Sequence, residues 1–297
     1  MKQRIKIGTR GSDLALWQAY FVKSELEKLG CEVELNIIKT QGDKIQHLSF
    51  DKLEGKGFFT KEIEDALLSK EVDLAVHSHK DLETNQPKGL EIVAVSDRED
   101  PADILLIRKS AIDQSKNLAL KKGAIVGTSS ARRKSLLNVF RSDLEIKDLR
   151  GNVPTRIQKL RTENYDAIVL ASAGVIRLKL DLSDFHVERL DPKEFVPAPA
   201  QGVLGLQIRA SDDRVREIVS QMNNASVKDL INIERGVLNK LNGGCQLPLG
   251  VYAEKEGEHF KVWTSLGRED GTVTRFQASF TEVEGAAETI IEALKKK

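Results

Sequence analysis

Strand-like and helix-like stretches alternate along the first two thirds of this chain, and the alternation stops once and then restarts. Arg4–Ile7 alternates polar and apolar residues, and Thr9-Arg10-Gly11-Ser12 turns the chain. Ser12 is placed to cap a helix whose Leu14, Trp17, Phe21, Leu26 and Leu29 fall near helical spacing, with Gly30 as its stop. Val33, Leu35 and Ile37 alternate as a second strand, Lys61–Leu68 reads as a helix, and Asp73–Ser78 and Leu90–Ser96 read as strands. The charged run Asp97-Arg98-Glu99-Asp100-Pro101 reads as a hinge. Beyond it come strand Ala124–Gly127, a helix from Ser130, strand Leu144–Leu149, a helix from Pro154 and strand Asp166–Ala171. Such a rhythm predicts an α/β fold, with mostly parallel sheets covered by helices on both faces.

The Phe195–Gly202 segment, with Pro197 and Pro199, reads as a second crossing, after which Gly205–Ile208 adds a strand back to the first sheet. The tail changes character. Ser226-Val-Lys-Asp229 has capping-box form ahead of a helix to about Leu241. Three strand patterns and a closing helix, Ala286–Leu294, then make a small α+β domain. The expected division is 1–98 with 200–218, then 99–199, then 219–297. Between Gln41 and Gly57 runs a polar, Gly-containing stretch too long for a quiet connection, which reads as a lid or as a disordered loop.

The 46 basic and 45 acidic residues leave a net charge of only +1. A general nucleic-acid or membrane binder shows a basic surplus, so neither partner is expected and any taste for anions must be local. No apolar run approaches the ~18 residues of a membrane span, and MKQRIKIGTR lacks the apolar core of an export signal. Cys31 and Cys245 cannot build a disulfide framework. The expected compartment is the reducing cytoplasm.

Arginines gather at turns between strands and helices. Gly127-Thr128-Ser129-Ser130-Ala131-Arg132-Arg133 follows an apolar strand and opens a helix. Free backbone N–H groups, hydroxyls and two guanidiniums together make an anion site there, or else Arg132 and Arg133 are simply solvated helix residues. Arg10, Arg150, Arg156 and Arg177 sit at comparable junctions. Lys52 and Lys56 either close over a ligand or merely keep their loop soluble. His77-Ser78-His79-Lys80-Asp81 sits where a strand gives way to a loop. Its H-x-H plus carboxylate invites a metal reading, but no third strong ligand group is evident nearby, so none is expected. A carboxylate beside Lys80 that stabilises a cation is the sharper reading. Cys245, between Gly244 and Gln246, is either a small buried thiol or a nucleophile that traps a strong electrophile.

These stretches, in order, resemble the motifs of the porphobilinogen deaminase family. They are Thr9-Arg-Gly-Ser-Asp-Leu-Ala-Leu-Trp-Gln18, Gly55-Lys-Gly-Phe-Phe-Thr-Lys-Glu62, His77-Ser-His-Lys-Asp81, Gly127-Thr-Ser-Ser-Ala-Arg-Arg133, Leu149-Arg-Gly-Asn-Val-Pro-Thr-Arg156, Pro199-Ala-Gln-Gly202 and Gly243-Gly-Cys-Gln-Leu-Pro248. The last fifty residues carry little signature. Ala131, Asp13 and the Pro197-Ala-Pro-Ala-Gln201 segment depart from the usual pattern, and none of them removes a charged or nucleophilic group.

The resemblance implies two α/β domains like type II periplasmic binding proteins, an active-site cleft between them, and a third domain. It implies a transferase of porphyrin and heme biosynthesis that joins four porphobilinogens head to tail into hydroxymethylbilane, releasing ammonia. A dipyrromethane cofactor, covalently bound to Cys245 as a thioether, would prime the chain. Asp81 matches the catalytic carboxylate. Arg10, Arg132, Arg133, Arg150, Arg156 and Arg177 match groups that bind acetate and propionate side chains, supported by Ser12, Ser78, Lys80, Thr128 and Ser130. Gln18, Phe59 and Gln201 match cleft positions. A monomer is implied. The competing reading is a two-lobed anion-binding module without chemistry, since fold does not dictate function.

Overall fold

The computed structural model describes residues 3–44, 59–241 and 246–296. The expectations for Lys52, Lys56, Cys245 and most of the lid stretch lie outside the described residues. The chain forms two compact units, one running through Glu99 and taking back Gly202–Asp229, the other made of Asp100–Gln201 and Leu230 onward.

In the first unit, Ser12 caps the first helix as its position in the turn predicts: its Oγ accepts the Ala15 N–H at 3.4 Å. That orders β1 (Arg4–Thr9), α1 (Asp13–Lys28) and β2 (Glu32–Ile37), with Gly30 at φ +84 leaving the helix. The short α2 (Gln41–Lys44) and α3 (Lys61–Leu68) precede β3 (Leu74–Ser78) and β4 (Leu90–Val95). The returning strand β10 (Leu204–Arg209) inserts between β3 and β4, giving the order β2-β1-β3-β10-β4. β1, β2 and β3 run parallel, while β10 is antiparallel to both its neighbours. Ala19, Val22 and Leu26 of α1 pack on Ile5, Ile7, Val76 and Leu206. Ile63 and Leu67 of α3 cover the other face beside Val72 and Ala75. Helices on both faces bury the central strands β3 and β10 almost throughout, while β2 at the edge keeps the polar–apolar alternation read in the sequence. After β10, α7 (Asp213–Val219) adds Val215 and Val219 to the first core. The chain re-enters this unit at Gly202, where φ is +90 and a Cβ would stand 2.3 Å from the Glu99 carbonyl oxygen. Only glycine fits that approach.

The second unit repeats the plan. β5 (Asp103–Arg108), β6 (Ile125–Gly127), α4 (Ala131–Phe140), β7 (Glu145–Lys147), α5 (Val153–Thr162), β8 (Ala167–Ala171), α6 (Ser172–Leu178) and β9 (Phe185–Arg189) build a sheet ordered β7-β6-β8-β5-β9. β6 is parallel to β7 and β8, and β5 is antiparallel to β8 and β9. The sequence rhythm misses β5, α6 and β9. β5 has no strand partner near it in the chain, since both its neighbours arrive more than fifty residues later.

α8 (Ala225–Lys240) leads to β11 (Leu249–Glu256), β12 (His259–Gly267), β13 (Val273–Phe280) and α9 (Ala286–Lys296). The expected capping box at Ser226 is not the cap. Asn224 takes that role, its side-chain oxygen accepting the Val227 N–H at 2.9 Å, as a residue type at least as good for the job can. α9 buries Ile290, Ile291 and Leu294 on the antiparallel three-stranded sheet, each contributing about 1.5–3 kcal/mol. In the same unit, Glu234 of α8 is fully buried, and its carboxylate accepts the N–H groups of Ala200 at 2.6 Å and Ala253 at 2.8 Å.

Candidate functional site

In each unit the chemistry-bearing residues follow the carboxyl ends of the parallel strands, where open α/β sheets present ligand sites. In the first unit, β1 delivers Arg10 and Ser12, and β3 delivers Ser78 and then a single 3₁₀ turn, His79–Asp81. A pocket of about 90 Å³ is lined by Arg10, Ser12, Gln18, Phe59, His77, Ser78 and Asp81, among others. The Arg10 guanidinium lies over the Phe59 ring, 4.2 Å from its centroid. That contact directs a delocalised charge into the pocket at little desolvation cost. Gln18, buried on α1, donates from Nε2 to Ser78 Oγ at 2.9 Å. Asp81 is exposed and Lys80 half-buried. Thus Arg10, Ser12, Gln18, Phe59, Ser78 and Asp81 come together as one site.

His77 and His79 part company. His79 donates its backbone N–H to Val203 at 2.9 Å, and its ring lies against Gly205. The His77 ring meets Gln207 Oε1 at 3.0 Å, and burial pushes its pKa down to about 4, with Arg10 acting in the same direction. Among the described residues no group of three His, Cys, Asp or Glu side chains is placed to hold a metal ion.

In the second unit, the Gly127–Arg133 stretch forms the end of β6 and the start of α4. Ser130 caps α4, accepting the Arg133 N–H at 3.5 Å, and Thr128 Oγ1 accepts the Ser130 N–H at 3.3 Å. Ser129 Oγ joins this turn to the next one, donating to the Leu149 carbonyl and accepting the Leu149 N–H, both at 3.0 Å. The Arg150 turn is therefore fixed to the Thr128–Ser130 turn. Gly151 has φ +117, and Asn152 caps α5 through the Thr155 N–H at 2.9 Å. Arg156 Nε reaches back to the Gly151 carbonyl at 2.8 Å. Arg177 is buried on α6, directly after β8.

The arginine pair is not solvated. Arg132 and Arg133 are both buried, and both meet Asp103, which is 0 % exposed. Arg132 Nη2 stands 2.9 Å from Oδ2, while Arg133 Nη2 stands 2.7 Å from Oδ1. Burial opposes ionisation of Asp103, but the two guanidiniums outweigh it and hold the carboxyl far below the ordinary range. Gln201 adds a fourth donor from Nε2, 2.9 Å from Oδ1, and also reaches the carbonyls of Pro101 and Ala102. Arg132 Nε has no hydrogen-bond partner among the described residues although it is out of water. Two guanidiniums against one carboxylate leave an excess positive charge inside the protein, an arrangement that calls for a second anion.

Asp103 and Gln207 are site residues that sequence reading misses. Asp103 heads the apolar run Ile104-Leu-Leu-Ile107, and a charge that starts a buried strand needs a partner. The adjacent arginines were the available signal. Gln207 sits inside β10 with nothing in its neighbourhood to mark it.

Two family models match the chain. The one described as porphobilinogen deaminase, dipyromethane cofactor binding domain, covers residues 5–217, and the one described as porphobilinogen deaminase, C-terminal domain, covers residues 229–296. The porphobilinogen deaminase of Chlorobium luteolum is 43% identical over 275 residues, which is 92% of this chain and 86% of that protein. That of Trichlorobacter lovleyi is 43% identical over 274 residues, with the same coverage of 92% and 86%. Among solved structures, an ancestral cationic amino acid solute binding protein is 18% identical, over 80% of this chain and 93% of that one, with a TM-score of 0.45.

Proposed function

The chain belongs to the porphobilinogen deaminase family, and from that membership we propose the part its own residues play in the reaction. The enzyme polymerises porphobilinogen in tetrapyrrole biosynthesis, and its first matched domain is the one that binds the dipyrromethane cofactor. When bound, that cofactor supplies the electron-rich pyrrole carbon from which the chain grows.

The residues present suit such a group. Its acetate and propionate arms need cationic donors held out of water, and Arg132 offers a buried Nε without a partner beside a cluster carrying surplus positive charge. This buried excess is the observation that carries the assignment. Arg132 and Arg133 hold carboxylate arms, with Thr128 and Ser130 adding hydroxyl donors. Arg150, Arg156 and Arg177 bind the arms of the added units, and Arg10, Ser12 and Lys80 bind those of incoming porphobilinogen. Each charge-assisted hydrogen bond contributes about 1.5–3 kcal/mol. A handful therefore suffices to hold a polyanion on a protein of net charge +1.

Asp81 is the catalytic carboxylate. Departure of ammonia from the aminomethyl carbon leaves an azafulvenium cation on the substrate. A carboxylate about 4 Å away, at an effective dielectric near 20, lowers that cation by about 4 kcal/mol. Gln18 holds Ser78 beside it, and Phe59 holds Arg10. Cys245 anchors the cofactor through a thioether, Lys52 and Lys56 close over the ligand, and Gln201 acts through Asp103. The working domains are 1–98 with 200–218, 99–199, and 219–297. No helix among the described residues is long and apolar enough to cross a membrane. The proposed enzyme is a cytoplasmic monomer that uses neither nucleic acid nor membrane.

Intact mass tests this reading. The wild-type protein is expected to exceed its 33.1 kDa chain by two linked pyrrole units, and Cys245→Ala is expected to lack the excess. A bare wild-type mass, unchanged after incubation with porphobilinogen, overturns it.

A further inference from the structure

We infer that His77 touches the substrate: its Nδ1 accepts a hydrogen bond from the aminomethyl ammonium of porphobilinogen and so positions the leaving group. The inference rests on the family reading above and adds a residue to it. Four linked contacts fix the ring. Gln86 donates from Nε2 to the Glu83 carbonyl at 3.0 Å, which turns its Oε1 toward Gln207. Gln207 Nε2 donates to that Oε1 at 2.8 Å and to Glu64 Oε1 at 3.2 Å. The Gln207 oxygen must then be the atom 3.0 Å from His77 Nε2. A carbonyl oxygen only accepts, so Nε2 carries the proton. With the ring neutral, Nδ1 is a bare lone pair.

His77 also lines the pocket that Asp81 and Arg10 line. Its Nε2 is taken by Gln207, so Nδ1 is the ring nitrogen left to a ligand there. Arg10 can only donate, and the Gln18 amide N–H is engaged by Ser78. A substrate carboxylate therefore has a partner in Arg10 and none in a neutral lone pair. Porphobilinogen brings two kinds of N–H donor, the pyrrole N–H and the ammonium. The azafulvenium charge that Asp81 stabilises is shared with the ring nitrogen, so the pyrrole N–H falls to Asp81, which leaves the ammonium for Nδ1. A neutral acceptor orients that ammonium without anchoring it as an ion pair. When the carbon–nitrogen bond breaks, its electron pair leaves on ammonia, the positive charge stays on the substrate as azafulvenium, and His77 neither gains nor loses a proton.

Two substitutions separate this role from a packing role. The amide of His77→Gln can still donate near the Nε2 position to Gln207 but offers no acceptor at Nδ1. His77→Asn places its amide oxygen near Nδ1 and gives up the Gln207 contact. We expect the Gln variant to keep wild-type melting behaviour, to raise KM for porphobilinogen about tenfold, and to lose preference for the aminomethyl substrate over its hydroxymethyl analogue. The Asn variant is expected to keep that preference. A Gln variant with wild-type KM and preference overturns the inference, and so does a loss that falls equally on both substrates or an Asn variant that is the more impaired in selectivity. Wild-type turnover in the same assay stands as the separate control, because its absence would instead count against the family reading.

Discussion

Arg133 grips Asp103 with a fork, its Nη2 2.7 Å from Oδ1 and its Nε 3.2 Å from Oδ2, while its third nitrogen, Nη1, donates to the Val169 carbonyl at 2.9 Å. Arg132 takes the remaining approach to Oδ2 at 2.9 Å and sends Nη1 to the Val196 carbonyl at 2.9 Å. One carboxylate thus sets the direction of both side chains and joins them, through Gln201, to the segment that leads back toward β10.

Breaking such a cluster by removing one partner costs about 3–5 kcal/mol, because the guanidiniums remain buried without their counter-ion. Asp103→Asn should therefore lower the melting temperature by on the order of 10 °C. The pH dependence follows from the depressed carboxyl. Its stabilisation is complete above the ordinary aspartate pKa of about 3.9 and fades only below it. The pH dependence of wild-type thermal melts between pH 5 and 8 should owe nothing to this cluster, and the deficit of the Asn variant should stay constant across that range. A deficit that vanished at pH 5 would contradict the assignment.

Asp81 lies exposed at the end of a single 3₁₀ turn, with none of the core resting on it. Asp81→Asn should leave the melting temperature unchanged and retain the cofactor mass. Loss of about 4 kcal/mol of cation stabilisation lowers turnover on the order of a thousandfold. Single-turnover rates with porphobilinogen check this, and near-normal turnover would remove Asp81 from the catalytic role.

Local sequence determined the parts of this site that local physics controls. Ser12, Ser130 and the Gly151-Asn152-Val-Pro154 turn all behave as their residue types dictate, since capping is settled within three or four residues. What escapes is contact across the chain. Asp103 lies about thirty residues before the arginines it holds, and Gln207 lies 130 residues after His77. Ser226 shows a subtler failure: two good caps stand two residues apart, and Asn224 prevails. Position in a turn marked Arg132 and Arg133 as candidates for an anion site, but it gave no sign that a buried carboxylate of the same chain, Asp103, takes up part of their charge.

Gly151 offers a test of preorganisation. Its φ of +117 disfavours any L side chain, and a Cβ there would come within 2.7 Å of Thr155 Cγ2. The Gly151 carbonyl also accepts from Arg156 Nε. Gly151→Ala should cost roughly 1–3 kcal/mol in backbone strain and shift both Arg150 and Arg156. The expected signature is a rise in KM for porphobilinogen exceeding any fall in kcat, measured at a temperature where the variant is folded. Unchanged KM would show that these arginines tolerate displacement.

His77 should leave a mark on acid stability. Its ordinary pKa of about 6.5 falls to about 4 in the folded protein, chiefly through burial. Between those two values the unfolded chain binds a proton that the folded chain refuses, so stability must rise with pH across this window. The contribution is complete above about pH 6.5, and about 3 kcal/mol of stability is lost by the lower limit. Glu64, whose carboxyl is pushed up by burial, slopes the other way as pH rises, but it is present in wild type and variant alike. Their difference isolates the histidine. Urea midpoints of wild type and His77→Gln should coincide at pH 7 and separate as pH falls to 4.5, the wild type dropping below the variant, because only the wild type loses the histidine contribution. Parallel curves would mean that the folded ring titrates as it does in the unfolded chain, so that burial and the Gln207 contact do not hold it neutral, and the fixed lone pair on Nδ1 that the ammonium contact requires would lose its support.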